Sequence, residues 1–176
     1  CSFSFITREN MQEIETKTNA ELANISHWFK ANKLTVKAKK TMYMIIHSRQ
    51  MPINLDSIQI NINNYALECI NSFKYLDVVI DNHLHWQPNI ISVCSRLSSG
   101  CHALLQTSNY FDLAILRILY FSLIHCHLSY CIDSWGWTYT TFLEPLRKLQ
   151  KRSLRIITHS SHDHPSAPLF SKLQIL

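Results

Sequence analysis

Ten histidines and six cysteines make metal binding the first chemistry to consider in this chain. The candidate ligands form two clusters, which are His125-Cys126-His127 with Cys131, and His159, His162 and His164. A tetrahedral zinc site needs ligands that converge on one point. In a helix the side chains of residues 125 and 127 point to different sides, and the second cluster has no cysteine beside it. The spacing therefore predicts no metal site in either cluster.

The acidic residues are dispersed as well. Phosphoryl chemistry assisted by two metal ions needs clustered carboxylates, and no two aspartates adjoin anywhere in the sequence. Asp77, Asp81 and Asp133 each stand alone, which is typical of turn, cap or surface residues. Only two glycines are present, so glycine-rich phosphate loops and dinucleotide sites are excluded. We therefore predict no catalytic carboxylate and no metal ligand within the chain.

The strongest charge pattern lies near the end of the sequence. Its basic residues are spaced one, three and four apart and comprise Arg147, Lys148, Lys151, Arg152 and Arg155. Leucines and an isoleucine occupy the intervening positions, so the segment predicts an amphipathic helix with a basic outer face. The formal net charge is +5, with basic excess in residues 1–46 and 140–176 and none between them. This distribution suits a polyanion that is contacted at separated places, although a solvated basic face is an equal alternative.

The elements that must position these residues follow from the hydrophobic periodicity. Residues 3–6 predict a short strand, residues 9–31 a helix and residues 41–46 a strand. Ile58, Ile60 and Ile62 alternate with polar residues, and Asn63-Asn64 supplies a tight turn before a second strand at 65–70. Another strand spans 73–80 and ends at Asp81-Asn82. The first half of the chain is therefore predicted to combine strands with one long helix.

Beyond Pro88 the period changes to that of helices. Apolar residues predict one helix near 90–105, a second near 113–123, a short third from about 127 to 135 and a fourth over 142–157. Residues 159–176 are predicted to form a loop or linker tail. The predicted fold class is α+β, with a mixed region over 1–87 and an all-helical region over 88–158.

The start of the chain and its most apolar stretch bear on where the protein is located. No signal sequence opens the chain, and the cysteines form no disulfide framework, so we expect an intracellular protein of the nucleus or cytoplasm. The most apolar stretch, Leu113 to Cys131, is interrupted by Arg117, His125 and His127, which predicts a buried helix and no membrane span. The chain begins at Cys1 without a methionine, and we expect it to be a piece of something longer.

Three runs occur in a distinctive order, namely Trp28 to Leu34, Phe73 to Asp81 and Leu149 to Ile157. Together they resemble the reverse transcriptases of non-LTR (LINE-type, jockey-like) retrotransposons. The resemblance implies that residues 1–6 follow the catalytic turn, that residues 25–41 span the fourth palm motif, and that Phe73 to Asp81 is the fifth motif, the primer grip. Residues 1–87 would then be the C-terminal part of a polymerase palm, and residues 88–158 a helical thumb or connection.

The resemblance also implies an activity and partners. The parent enzyme would be an RNA-directed DNA polymerase acting on an RNA template and a DNA primer, with Mg²⁺ held by upstream residues that this chain lacks. Its neighbours would be the upstream fingers and palm of the same polyprotein. This fragment alone is expected to be inactive. The alternatives are a non-catalytic retroelement remnant that binds nucleic acid weakly, and a helical interaction module built on Leu113 to Cys131.

The resemblance implies roles for individual residues, according to their positions in the motifs of the family. Lys40 stands at the fourth-motif lysine, although Lys37 replaces the usual asparagine. In the primer grip, Phe73, Tyr75 and Leu76 would wedge the hairpin, while Lys74 and the tip meet the primer backbone. Asp77 stands where the family usually has glycine, which places a negative charge at the tip. The thumb contacts to template and primer would come from Lys148, Lys151, Arg152 and Arg155.

Overall fold

The computed structural model describes residues 11–50 and 58–175. It divides into two compact units, Cys1–Ser72 and Phe73–Leu176. The predicted strand at 3–6 lies outside the described residues. The described residues form helices and small two-stranded sheets, in agreement with the predicted α+β class at this coarse level.

The first unit contains one long helix and short strands. Its described elements are α1 (Met11–Ala31), a 3-10 turn (Ala38–Lys40), β1 (Met42–Tyr43), β2 (Asn61–Ile62), β3 (Tyr65–Ala66) and β4 (Glu68–Cys69). β1 pairs with β4 in parallel, and β2 pairs with β3 as an antiparallel hairpin. Asn63 and Asn64 join that hairpin with φ values of 50° and 63°, as a type I′ turn requires.

The alternating isoleucines anchor this unit as predicted. Ile58, Ile60 and Ile62 are all buried, which confirms the period of two for that segment. The side chain of Asn19 on α1 joins the helix to it, because its Nδ2 donates to the carbonyl of Gln59 at 3.0 Å and its Oδ1 accepts from the backbone N–H of Asn61 at 2.9 Å. The predicted helix over 9–31 is confirmed where the structure describes it, whereas the strand predicted over 41–46 is reduced to two residues.

The second unit consists of a hairpin followed by helices. Its elements are β5 (Ser72–Tyr75), β6 (Val78–Asp81), α2 (Gln87–Thr107), α3 (Leu113–Tyr120), a π-helical turn (Phe121–His125), α4 (Cys126–Ser129), α5 (Ile132–Trp135), α6 (Thr140–Ile157) and α7 (Ala167–Leu173). α2 packs against both α6 and β6. The fully buried core side chains include Leu97 and Leu104 of α2, Leu116 and Tyr120 of α3, and Leu154 of α6.

Gly100 lets α2 approach the π-helical turn closely. A Cβ atom at this position would lie 2.8 Å from the carbonyl oxygen of Leu123 and 2.8 Å from Cδ1 of Ile124. Both distances are shorter than any normal contact of a Cβ atom. A side chain would therefore push the two elements apart.

The structure also differs from the predicted organisation elsewhere. The single strand predicted over 73–80 is interrupted by a turn at Leu76 and Asp77, so it forms the two strands β5 and β6. The compact units divide between Ser72 and Phe73, before the boundary expected near Pro88, because β6 packs on α2 and joins the helical unit. Residues 167–173, predicted as part of a loop tail, form helix α7. Leu169 and Leu173, which are one helical turn apart, are buried in the core together with Ile175. Because a helix of this length is marginally stable alone, this tertiary burial stabilises it.

Candidate nucleic-acid-binding surfaces

The tip of the β5–β6 hairpin has an unusual backbone. Leu76 and Asp77 form the two-residue turn with φ values of 44° and 71°, the left-handed pattern of a type I′ turn. Such turns favour Asn-Gly or Asp-Gly, and a leucine at positive φ is rare. Other contacts must therefore hold this turn in place.

Two cations supply one set of these contacts. The Nζ of Lys74 lies 2.8 Å from Oδ1 of Asp77, and Nη2 of Arg96 donates to the same oxygen at 2.8 Å. Nη1 of Arg96 donates to Oδ2, which makes the pair bidentate. The hydrogen bonds from Arg96, followed by that from Lys74, hold the pKa of the Asp77 carboxyl well below its usual range. We call Lys74, Asp77 and Arg96 the tip clamp.

A tyrosine holds the other turn residue. The hydroxyl of Tyr130, just after α4, donates to the carbonyl oxygen of Leu76 at 2.7 Å. The turn is thus tied to α2 through Arg96 and to the segment after α4 through Tyr130. These three hydrogen bonds fix the direction of the hairpin tip relative to the helices of the same unit.

The other residues predicted to form a primer grip are distributed over both faces of β5. Phe73 and Tyr75 are half-buried, whereas Lys74 is exposed, in the alternation expected of a strand. Leu76, which was expected to wedge the hairpin, instead has 68% of its surface exposed at the tip. The positive φ of the turn residues takes Leu76 out of the alternation, so the half-buried pair alone can act as a wedge.

Helix α6 carries the second predicted surface. Leu146, Leu154 and Ile157 are buried, while Lys148 and Arg152 are exposed and Lys151 and Arg155 are partly exposed. The predicted amphipathic helix is therefore confirmed. Its described cations are sparsely paired, since the ion pair between Arg147 and Glu144 at 3.9 Å is the only one along α6 in the described part of the chain.

The hairpin and α6 are both attached to α2. Oδ1 of the buried Asn89 accepts from the backbone N–H of Val79 at 3.1 Å, which joins β6 to α2. On the other side, Sγ of Cys101 lies 3.6 Å from the carbonyl oxygen of Leu149 on α6. Burial raises the pKa of the Cys101 thiol, with the charge of Arg152 acting in the opposite direction. One helix thus carries both predicted binding surfaces.

The other singled-out residues have the following places. Lys40 is exposed at the end of the 3-10 turn in the first unit. Asp81 is a turn residue, as predicted, because its buried carboxylate accepts from the backbone N–H groups of His85 at 3.1 Å and Trp86 at 2.7 Å. Trp135 of α5 is buried in the core, whereas Trp137 is 90% exposed.

Metal ligands do not converge within the described residues. No group of three or more His, Cys, Asp or Glu side chains in residues 11–50 and 58–175 is arranged to hold a metal ion. His125 instead packs against the ring of Phe121, with the ring centroids 5.1 Å apart. In the same part of the chain, no helix has the length and apolar character needed to cross a bilayer.

Sequence reasoning missed two residues that hold the hairpin tip, Arg96 and Tyr130. Arg96 is the only Lys or Arg on α2, and that helix contains no acidic residue. A lone arginine on an amphipathic helix without an acid one turn away was a usable signal, because its ion partner has to come from another element. Tyr130 gave no such signal.

No family model, curated protein or solved structure matches this chain.

Proposed function

We propose that this chain is the C-terminal palm and thumb portion of a non-LTR retrotransposon reverse transcriptase, and that it positions an RNA–DNA hybrid for DNA synthesis. The observation that carries the proposal is that a tight hairpin and a basic helix are packed on the same helix, α2. Two phosphate-contacting elements on one rigid support can hold a duplex in a fixed position without reading its sequence. The carboxylates that bind Mg²⁺ would come from upstream residues of the same polyprotein.

The charge of α6 supports this role. Its basic residues lie opposite the buried leucines, so packing of the helix leaves them available to solvent. Side chains that neutralise phosphates release bound counterions, which makes affinity fall steeply with salt and depend little on sequence. A surface that follows the A-form shape of a hybrid needs only such contacts.

The tip clamp favours a second candidate function. Asp77 forms an ion pair with Lys74, the residue that the primer grip would use to contact the primer. Asp77 also stands at the turn position where a close approach of the backbone to nucleic acid would favour glycine. A retroelement remnant that binds nucleic acid weakly through α6 alone would have these properties. The two candidates differ in whether Lys74 contributes to binding.

Both candidate functions are tested by measuring how the affinity of the whole chain for a short RNA–DNA hybrid depends on salt. We expect the slope of log K against log salt to become shallower by about 2 to 3 when Lys151, Arg152 and Arg155 are replaced by alanine. The matched control replaces Lys30, Lys39 and Lys172, three exposed lysines outside both surfaces. An equal effect of the two triple variants would contradict the assignment to α6.

Two further observations separate the candidates. If Lys74→Ala leaves the affinity and the salt slope unchanged while the α6 variant weakens them, the remnant explains the data better than the palm and thumb. The genomic sequence upstream of the Cys1 codon provides an independent check. The polymerase proposal requires an in-frame aromatic-Ala-Asp-Asp turn there, and it would lose its chemistry without one.

A further inference from the structure

A small cavity lies at the C-terminal end of α6, and none of the residues that line it belongs to the β5–β6 hairpin. Its volume is about 360 Å³, within the range of small-molecule sites. Arg152 and Arg155 form one wall, and His159 and His162 from the segment after α6 lie beside them. We call it the α6-end pocket.

The two arginines bring positive charge that no described carboxylate neutralises. Neither Arg152 nor Arg155 takes part in an ion pair within the described residues. They are three residues apart on α6 and therefore lie on one face of the helix. Nε of Arg155 donates to the backbone carbonyl of His164 at 3.1 Å, which orients its guanidinium. Asp163 follows the pocket residue His162 in the sequence and is fully exposed. Its Oδ1 lies 3.3 Å from Nδ1 of His162.

The carbonyl groups at the end of α6, which would repel an anion, are already engaged. The carbonyl oxygen of Leu154 accepts from the N–H of Thr158 at 3.1 Å, and that of Arg155 accepts from the N–H of Ser160 at 3.0 Å. The carbonyl of Ile156 accepts from the N–H of His159 at 3.2 Å, where the chain turns with a φ of 52°. With these carbonyl oxygens bonded, the permanently charged side chains that line the pocket are the two arginines.

The other wall is partly apolar. Leu105 of α2 and Ile156 of α6 line the cavity together with the short polar residues Ser108 and Asn109. A ligand that combines a dianionic group with a flat or aliphatic body would satisfy both walls. Planar guanidinium groups bind both carboxylates and phosphates through paired hydrogen bonds. Two adjacent arginines favour a phosphate monoester over a single carboxylate because the monoester carries nearly two negative charges at pH 7.

We propose that the α6-end pocket binds a phosphate monoester of nucleotide size. This chemistry has two possible sources, a free nucleoside monophosphate and the 5′-phosphorylated end of a nucleic-acid strand. The second source rests on the proposed nucleic-acid-binding function, because Arg152 and Arg155 belong to that surface too. The first source does not depend on it.

The test compares two single-stranded oligonucleotides of identical sequence, one ending in a 5′-phosphate and one in a 5′-hydroxyl, with the full chain at pH 7. We expect the phosphorylated strand to bind about tenfold more tightly, the effect of one or two charge-assisted hydrogen bonds. The double variant R152Q/R155Q should abolish that ratio, and H162Q should reduce it. Equal affinity of the two strands for the unmodified chain would overturn the strand-end form of the proposal.

A matched variant separates the pocket from general charge. R147Q/K148Q removes two cations from exposed positions nearer the start of the same helix, so it should weaken both strands while keeping their ratio. Loss of the ratio in this variant would contradict a local pocket. Far-UV circular dichroism of each glutamine variant tests whether its helices are retained.

Adenosine monophosphate tests the free-nucleotide source. Adenosine monophosphate that shifts the NMR signals of His159 and His162 in the unmodified chain, but not in R152Q/R155Q, supports a free-nucleotide site even if no strand binds. If neither the nucleotide nor the 5′-phosphate shows a dependence on Arg152 and Arg155, the pocket proposal fails. The proposed function then still stands or falls with the salt slope of hybrid binding.

Discussion

The carboxylate of Asp77 and the ammonium group of Lys74 lie 2.8 Å apart at the tip of the β5–β6 hairpin. A lysine at this position was expected to meet a nucleic-acid backbone. In the folded chain a carboxylate from the same turn contacts that ammonium group, and Arg96 of α2 donates to the same carboxylate. Any phosphate that approaches the tip must therefore compete with Asp77 for both cations.

The first prediction concerns the substitution Asp77→Asn. Asparagine tolerates the left-handed backbone of the turn but carries no charge, so Lys74 and Arg96 become available to phosphate. We expect the affinity for an RNA–DNA hybrid to rise about two- to fivefold and the salt slope to steepen by about 1. Fluorescence anisotropy over a range of salt concentrations measures both quantities.

The control for this variant is Asp133→Asn, which removes one exposed acid from α5 in the same unit. It changes the net charge equally, and among the described residues no hydrogen bond or ion pair joins Asp133 to the hairpin tip. A rise of the same size in both variants would show that net charge, and not competition at the tip clamp, limits binding.

The second prediction concerns acid stability. The lowered pKa of Asp77 means that its ion pairs stabilise the fold above the unfolded-state pKa, near 3.9, and that this contribution is lost as the pH falls toward the folded-state pKa. The difference in unfolding free energy between the unmodified chain and Asp77→Asn should be constant from pH 7 to 5 and shrink below about pH 4. Because the pair is exposed, added salt should reduce the difference. Urea titrations at each pH test this, and a difference that grows in acid would contradict it.

Local patterns in the sequence predicted much of this structure. The alternation of Ile58, Ile60 and Ile62 indicated a half-buried segment, and the basic and apolar positions of residues 146–157 indicated an amphipathic helix. Both inferences depend on residues that are close together in the sequence and belong to one continuous segment. Periodicity is reliable at this range because the two faces of one element alternate with fixed spacing.

The tip clamp could not be predicted in this way. Arg96 and Asp77 are 19 residues apart and belong to different elements, and only the packing of β6 on α2 brings them together. Helix α7 was missed for a related reason, since seven residues carry too little pattern and the helix is stabilised by tertiary burial of Leu169 and Leu173. Predictions failed where long-range packing decides the structure.

The third prediction concerns Asp81, whose carboxylate holds two backbone N–H groups ahead of α2. Asp81→Ala leaves these donors without their acceptor, and we expect the free energy of unfolding to fall by about 1 to 3 kcal/mol. Asp81→Asn, which keeps one carbonyl oxygen, should lose less. The exposed Asp163→Ala serves as the control and should leave the stability unchanged. Equal stability of Asp81→Ala and the unmodified chain in urea would show that the loop before α2 holds its conformation without this carboxylate.

The fourth prediction concerns the close approach at Gly100. In Gly100→Ala the new methyl group would lie 2.8 Å from the backbone carbonyl oxygen of Leu123, which cannot move aside as a flexible side chain would. Alanine gains about 1 kcal/mol of helix propensity over glycine, whereas overpacking a core costs about 1 to 3 kcal/mol. We expect overpacking to dominate, so that Gly100→Ala lowers the urea midpoint. Ser99→Ala, at an exposed position of the same helix, should leave the midpoint nearly unchanged. A higher midpoint for Gly100→Ala would mean that propensity outweighs the contact and that α2 and the π-helical turn can separate at little cost.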